Sequence, residues 1–245
     1  MGVRPSAPIT AIAPTTDGRG YWLVGADGGV FAFGDAVFHG SLPGIGVKPI
    51  DPIVGIAATS DGGGYWLIGA DGGVFAFGDA PYCPPTGIIA AVTQTGLEGA
   101  DPFVGVTAYP GSVGYAIVDT TGFGLVVPLP GQPCLPLSNT DIDTGGLSTI
   151  DPVGLISGIA VSPKGGHLWL VGNDGGVFAP QVFAFHVQVP TVQAPFYGSL
   201  PGLGVIPKAP IVGISASPDG GGYWLLGADG GVFAFGDAVF HGSAA

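Results

Sequence analysis

The chain has 245 residues, of which 48 are Gly and 24 are Pro, with 47% hydrophobic and 10% aromatic residues. Seventeen acidic against five basic side chains give a formal net charge of -12, the wrong sign for a nucleic-acid footprint. Scarce Glu, Lys, Arg and Met argue against long helices, the apolar content argues against disorder, and Gly lacks the three-residue period of collagen.

The opening Met1-Gly2-Val3-Arg4-Pro5 carries no apolar leader run, so the expectation is a chain without a standard signal peptide, or a segment of a longer protein. No membrane insertion is expected either. The one long uncharged stretch, Gly175–Pro207, is broken by Pro180, Pro190, Pro195 and Pro201.

From Pro8 onward the chain repeats itself. Gly20–Ala36, GYWLVGADGGVFAFGDA, returns almost letter for letter at Gly64–Ala80 and at Gly222–Ala238. Gly25–Ser41 is identical to Gly227–Ser243. Two degenerate copies lie between, one from Gly114 to Val127 and one from His167 to Phe178. The repeat starts are 44 to 55 residues apart, counted from 20, 64, 114, 167 and 222, which is the length of a four-stranded propeller blade.

Each repeat reads as four short strands. Strand A is expected at Pro8–Ala13, Pro52–Ala58, Pro102–Ala108, Leu155–Val161 and Pro210–Ala216. In the second repeat strand B falls at Gly64–Ala70 and strand C at Gly73–Phe77; strand D is expected at Val37–Ser41 and Pro195–Ser199. Asp71-Gly72 reads as a two-residue type I′ hairpin between B and C. Strand B is apolar on both faces, as a strand buried between two neighbouring blades would be, while Gly55, Ala57 and Ala58 make strand A small.

The expected fold is therefore an all-β, five-bladed β-propeller with four antiparallel strands per blade and repeats of about 44–55 residues, filling 1–245 as one domain. Blades are expected at about 8–45, 52–85, 102–135, 152–202 and 210–245, with longer insertions at 82–100 and 128–150. Closure is expected by packing the fifth blade on the first. The rival is a larger ring completed by residues outside this chain or by a second copy.

The repeated phrase, together with PIVGIAATSDGGGYW at 52–66, is similar to a repeat abundant in actinobacterial proteins, often in tandem beside cell-wall or extracellular enzyme domains. The resemblance covers nearly the whole chain and is closest in copies one, two and five. Copy three lacks the Trp and the Asp-Gly-Gly turn, and Pro180 interrupts strand C of copy four. In blade number the chain also resembles five-bladed tachylectin-type propeller lectins, with no sugar-binding motif to carry over. The resemblance implies an extracellular or cell-envelope location; a structural or assembly role would instead allow a virion surface.

Candidate chemistry is sparse. His39-Gly40-Ser41 and His241-Gly242-Ser243 place His and Ser two apart on an outer strand, where they flank rather than converge, so no catalytic residue is expected. The position held by His39, Cys83, Tyr197 and His241 varies as a solvent-facing one can. His39 with His241 lacks a third ligand for a metal. The Gly-rich phrases enter strands and lack the Lys of a phosphate loop, so no cofactor is expected. Cys83 and Cys134 either pair as a disulfide or are two small apolar side chains.

What remains is a set of aromatic and acidic residues in register: Tyr21, Trp22, Asp27 and Asp35 in copy one, Tyr65, Trp66, Asp71 and Asp79 in copy two, and Tyr223, Trp224, Asp229 and Asp237 in copy five. Aromatic faces beside carboxylates suit a pyranose, so these residues form candidate inter-blade glycan sites. The alternative is that the rings are core and the carboxylates belong to turns. The expected function is a non-enzymatic module that binds glycan or cell-envelope polymer through weak repeated pockets. The alternative is a structural subunit that docks protein partners.

Overall fold

The computed structural model describes residues 5–82, 102–108, 114–120, 124–127, 155–163, 168–179 and 194–243. They form an all-β molecule of fifteen strands in five three-stranded sheets, each ordered as it runs in the chain. The sheets are β1 (Ile9–Pro14), β2 (Tyr21–Gly25) and β3 (Val30–Phe33); β4 (Ile53–Ala58), β5 (Gly64–Gly69) and β6 (Val74–Gly78); β7 (Phe103–Ala108), β8 (Tyr115–Asp119) and β9 (Gly124–Val127); β10 (Ile156–Val161), β11 (Leu168–Gly172) and β12 (Val177–Phe178); and β13 (Ile211–Ala216), β14 (Gly222–Gly227) and β15 (Val232–Gly236). The chain divides into two compact units, Met1–Ala116 with Val126–Asn139, and Ile117–Leu125 with Thr140–Ala245.

The A, B and C strands lie where the repeat puts them. In four sheets the A–B pairing bulges at the second residue of strand A, as between Ile53 and Gly55. Strand β5 is buried along its whole length, as its double-sided apolar pattern requires. Strand β12 has only two residues and ends just before Pro180, which cannot donate to a ladder.

The fourth strand is a correction. Val37–Ser41 and Pro195–Ser199 form no strand, and every sheet has three strands among the described residues. Each segment instead leads into a 3-10 turn, Pro43–Ile45 or Pro201–Leu203. Its backbone groups bond side chains of its own sheet and of the next one, rather than a ladder.

The hairpin between B and C is also corrected. The Gly72 N–H donates to Gly69 (2.9 Å) and the Gly69 N–H to Gly73 (2.8 Å), which encloses a three-residue loop. Ala70 and Asp71 are the turn centres, and the positive φ of +81° falls on Gly72. This is a type I turn followed by a left-handed bulge residue, so it needs one glycine where a type I′ turn needs two positive φ values.

Candidate functional site

Within the first unit, the second sheet docks on the first through one tyrosine. The Tyr65 hydroxyl donates to the Gly40 carbonyl at 2.6 Å and accepts the His39 N–H at 3.1 Å. Its ring packs 5.8 Å from Trp22, 5.4 Å from His39 and 5.8 Å from Phe77, centroid to centroid. The Trp22 indole N–H is taken by the Val37 carbonyl at 2.7 Å, and Nε2–H of His39 donates to the Gly62 carbonyl at 3.1 Å. Gly40 has a φ of +133°, and a Cβ there would stand 2.7 Å from the Phe77 ring. The backbone therefore lies flat on that ring, which only glycine permits.

The second unit builds the same joint between its fourth and fifth sheets. The Tyr223 hydroxyl donates to Gly198 at 2.6 Å and accepts the Tyr197 N–H at 3.3 Å. Trp169 donates to the Pro195 carbonyl at 2.9 Å, and the Tyr197 hydroxyl donates to Gly220 at 3.0 Å. His39 and Tyr197 are thus interchangeable donors to the next A–B turn. The sequence expectation of a solvent-facing position is corrected for these two; both are half-buried. Burial pushes the Tyr65 phenol up, and that of Tyr223 up to about 12, because the anion would lose its water.

A backbone bond completes each joint. The first residue of strand A donates to the B–C turn of the preceding sheet: Ile53 to Ala26 (2.9 Å), Phe103 to Ala70 (3.0 Å), Ile156 to Thr120 (2.9 Å) and Ile211 to Asn173 (2.8 Å). Small A-strand residues let neighbouring sheets approach. A Cβ on Gly55 would sit 2.6 Å from Val106.

These contacts decide where the candidate residues lie. Trp22, Tyr65, Trp66 and Tyr223 are all buried, with their polar atoms bonded to backbone. They are joint and core residues, and their ring faces are taken by protein. Tyr21 differs: it is exposed, stacked on Phe33 at 5.1 Å, and its hydroxyl has no partner among the described residues. Trp224 is partly exposed.

The carboxylates fall into two sets. Asp27, Asp71, Asp174 and Asp229 each accept the N–H two residues on, at 2.8–3.0 Å, as in an Asx turn. Asp35, Asp79 and Asp237 belong to pairs that the sequence reading missed. Thr15 stands between Asp17 (3.0 Å) and Asp35 (3.2 Å), Thr59 between Asp61 (2.8 Å) and Asp79 (3.3 Å), and Ser217 between Asp219 (2.8 Å) and Asp237 (3.4 Å). The Ser217 hydroxyl and the Gly221 N–H hold Asp219 at about 2, while the hydrogen bond with Asp219 raises Asp237. The signal was a Thr or Ser two residues before the Asp of the A–B turn, in register with an Asp after strand C.

Ser41 and His39 do not converge on one another. Ser41 Oγ accepts the Gly44 N–H at 3.2 Å while the His39 ring faces Gly62. Among the described residues no three His, Cys, Asp or Glu converge as metal ligands, and no helix is long and apolar enough to cross a membrane. Cys83, Cys134 and almost all of both long insertions lie outside the described residues.

No family model matches the chain, and no curated protein does. Among solved structures it is similar to the β-propeller domain of Cps50 (Swd1) from Myceliophteria thermophila, with 12% identity, a TM-score of 0.55, and coverage of 96% of this chain and 67% of that one. The likeness establishes a β-propeller type of fold.

Proposed function

We propose that this chain is a non-enzymatic scaffold that docks protein partners, with its five sheets as the blades of a propeller. The observation that carries this reading is a set of exposed apolar side chains repeated outside the joints. Phe38 and Phe196, Ile45 and Leu203, and Val47 and Val205 are equivalent pairs, and all six are exposed. Each loop adds an almost fully bare isoleucine, Ile50 at 92% and Ile206 at 91%. Their recurrence at equivalent positions of the two loops favours a contact role over chance exposure. Glycan recognition loses its best candidates, because most of the repeated rings are enclosed by protein. The resemblance to the actinobacterial repeat makes the cell envelope the place to seek the partner.

The test is retention of the purified chain on actinobacterial envelope fractions, with and without soluble sugars. A scaffold is retained in the presence of sugars and is released by the paired change Ile50→Asp and Ile206→Asp at unchanged melting temperature. Release by a defined sugar, with those two changes harmless, would make it a lectin.

A further inference from the structure

The loops between the first and second sheets and between the fourth and fifth carry more than bare apolar side chains. Leu42–Ile50 and Leu200–Lys208 align residue for residue, and neither stretch contains an acid, although the chain has seventeen. Two of the five basic residues are here instead, Lys48 and Lys208. They do not align with one another. The first loop reads Lys48-Pro49-Ile50 and the second Ile206-Pro207-Lys208, so lysine and isoleucine have changed places about the proline. Both lysines are exposed, and neither has an ion-pair partner among the described residues. A fold that needed the ammonium for its own sake would fix its place. What recurs is one cation beside one bare isoleucine.

Each loop spans a joint inside its own unit and is held by that unit. Leu42 is fully buried; its N–H donates to the Gly28 carbonyl at 3.1 Å, and its carbonyl accepts the Val47 N–H at 2.9 Å. Leu200 repeats both bonds, to Gly175 at 3.1 Å and from Val205 at 2.9 Å. The prolines at 43, 49, 201 and 207 fix φ along the way. A loop so constrained gives up little freedom on binding, so its exposed side chains are preorganised.

We propose that each loop docks a segment of a protein partner that carries an Asp or Glu beside a large apolar side chain, with the carboxylate against the lysine and the apolar group against the isoleucine. The inference rests on the scaffold reading and names the chemistry of the partner. Charge complementarity supports it. In a chain of net charge -12, an acid-free stretch with its own cation is where an acidic segment meets the least repulsion. An anionic lipid surface fits less well, because it would present its charge to the whole acidic molecule rather than to one loop.

The test is selection of a displayed library of short random peptides on three immobilised full chains: the wild type, Lys48→Glu with Lys208→Glu, and Ile50→Asp with Ile206→Asp. All four positions are exposed, and melting temperatures verify that the variants are folded. The wild type should enrich peptides that pair Asp or Glu with Leu, Ile or Phe, and both variants should lose them. A selected peptide, made synthetically, should bind the milder Lys48→Gln with Lys208→Gln about two- to fivefold more weakly, the span of an exposed ion pair. Enriched peptides that are apolar without acids, lost on the isoleucine variant but kept on the lysine variant, overturn this inference and leave the scaffold reading standing. Peptides that bind all three chains alike overturn it, as does binding of the wild type to phosphatidylglycerol vesicles in place of peptides. No enrichment overturns it too, whether the loops bind nothing or the chain covers them itself; envelope retention of the isoleucine variant then decides whether the scaffold reading survives.

Discussion

The Tyr65 hydroxyl donates to the Gly40 carbonyl at 2.6 Å across twenty-five residues of sequence, and Tyr223 does the same to Gly198 at the same distance and separation. One buried phenol thus satisfies a carbonyl and an N–H of an irregular segment that has no strand partner. Removing it leaves two half-buried backbone groups unpaired, so Tyr65→Phe should cost about 1–3 kcal/mol. Tyr21→Phe should cost close to nothing, because the exposed Tyr21 hydroxyl bonds no described residue. Chemical denaturation of both variants against the wild type checks the contrast.

Gly40→Ala should be among the costlier surface-proximal changes. The new Cβ meets the Phe77 ring at 2.7 Å, and a φ of +133° is strained for any L side chain. About 1–3 kcal/mol is expected from the backbone strain alone. Gly242→Ala carries a similar φ of +121° with open space around it, so it should cost less. The melting temperatures of the two variants should differ in that order.

Alkaline pH should loosen the joints. The Tyr223 phenol is raised from 10 to about 12 by burial. A folded pKa above the unfolded one contributes stability that is complete below about pH 10 and is lost as pH rises through about 12. Tyrosinate absorbance should therefore rise late and together with the loss of near-ultraviolet circular dichroism. Early titration of all seven tyrosines, with the fold intact, would contradict this.

The acidic pair of the fifth repeat should split on titration. Asp219 is lowered to about 2, so its contribution is present above the ordinary carboxylate range and fades as pH falls toward 2. Asp237 is raised, so it favours the folded chain at acid pH and opposes it once ionised. Asp219→Asn should lower the neutral-pH melting temperature, and Asp237→Asn should leave it unchanged or raise it. Carboxyl carbon chemical shifts followed through the titration would place Asp237 above Asp219.

The repeat made strands A, B and C legible because their signals are local: an apolar run such as Gly64–Gly69 and a glycine turn at each end. Strand D was misread for a physical reason. Val37–Ser41 has the composition of a strand, but its conformation is decided by partners 15 to 26 residues away, Trp22, Gly62 and Tyr65. The same distance hid the role of His39. The Asp71 turn has one residue more than the sequence suggests, Ala70, since sequence alone does not separate a type I turn plus bulge from a type I′ hairpin. The acidic pairs escaped because Asp61 and Asp79 lie on different loops, eighteen residues apart, and meet only when the A–B turn folds beside the end of strand C.

The sharpest test is the Trp66→Ala variant, with melting temperature and envelope retention read on the same preparation. Trp66 is 1% exposed and gives its indole N–H to the Pro81 carbonyl at 3.0 Å. If the repeated aromatics are joints, the variant loses about 3–5 kcal/mol, and any loss of retention follows the loss of fold. Retention that disappears while the melting temperature stays at the wild-type value would make Trp66 a ligand contact and contradict the structural role of the repeated aromatics.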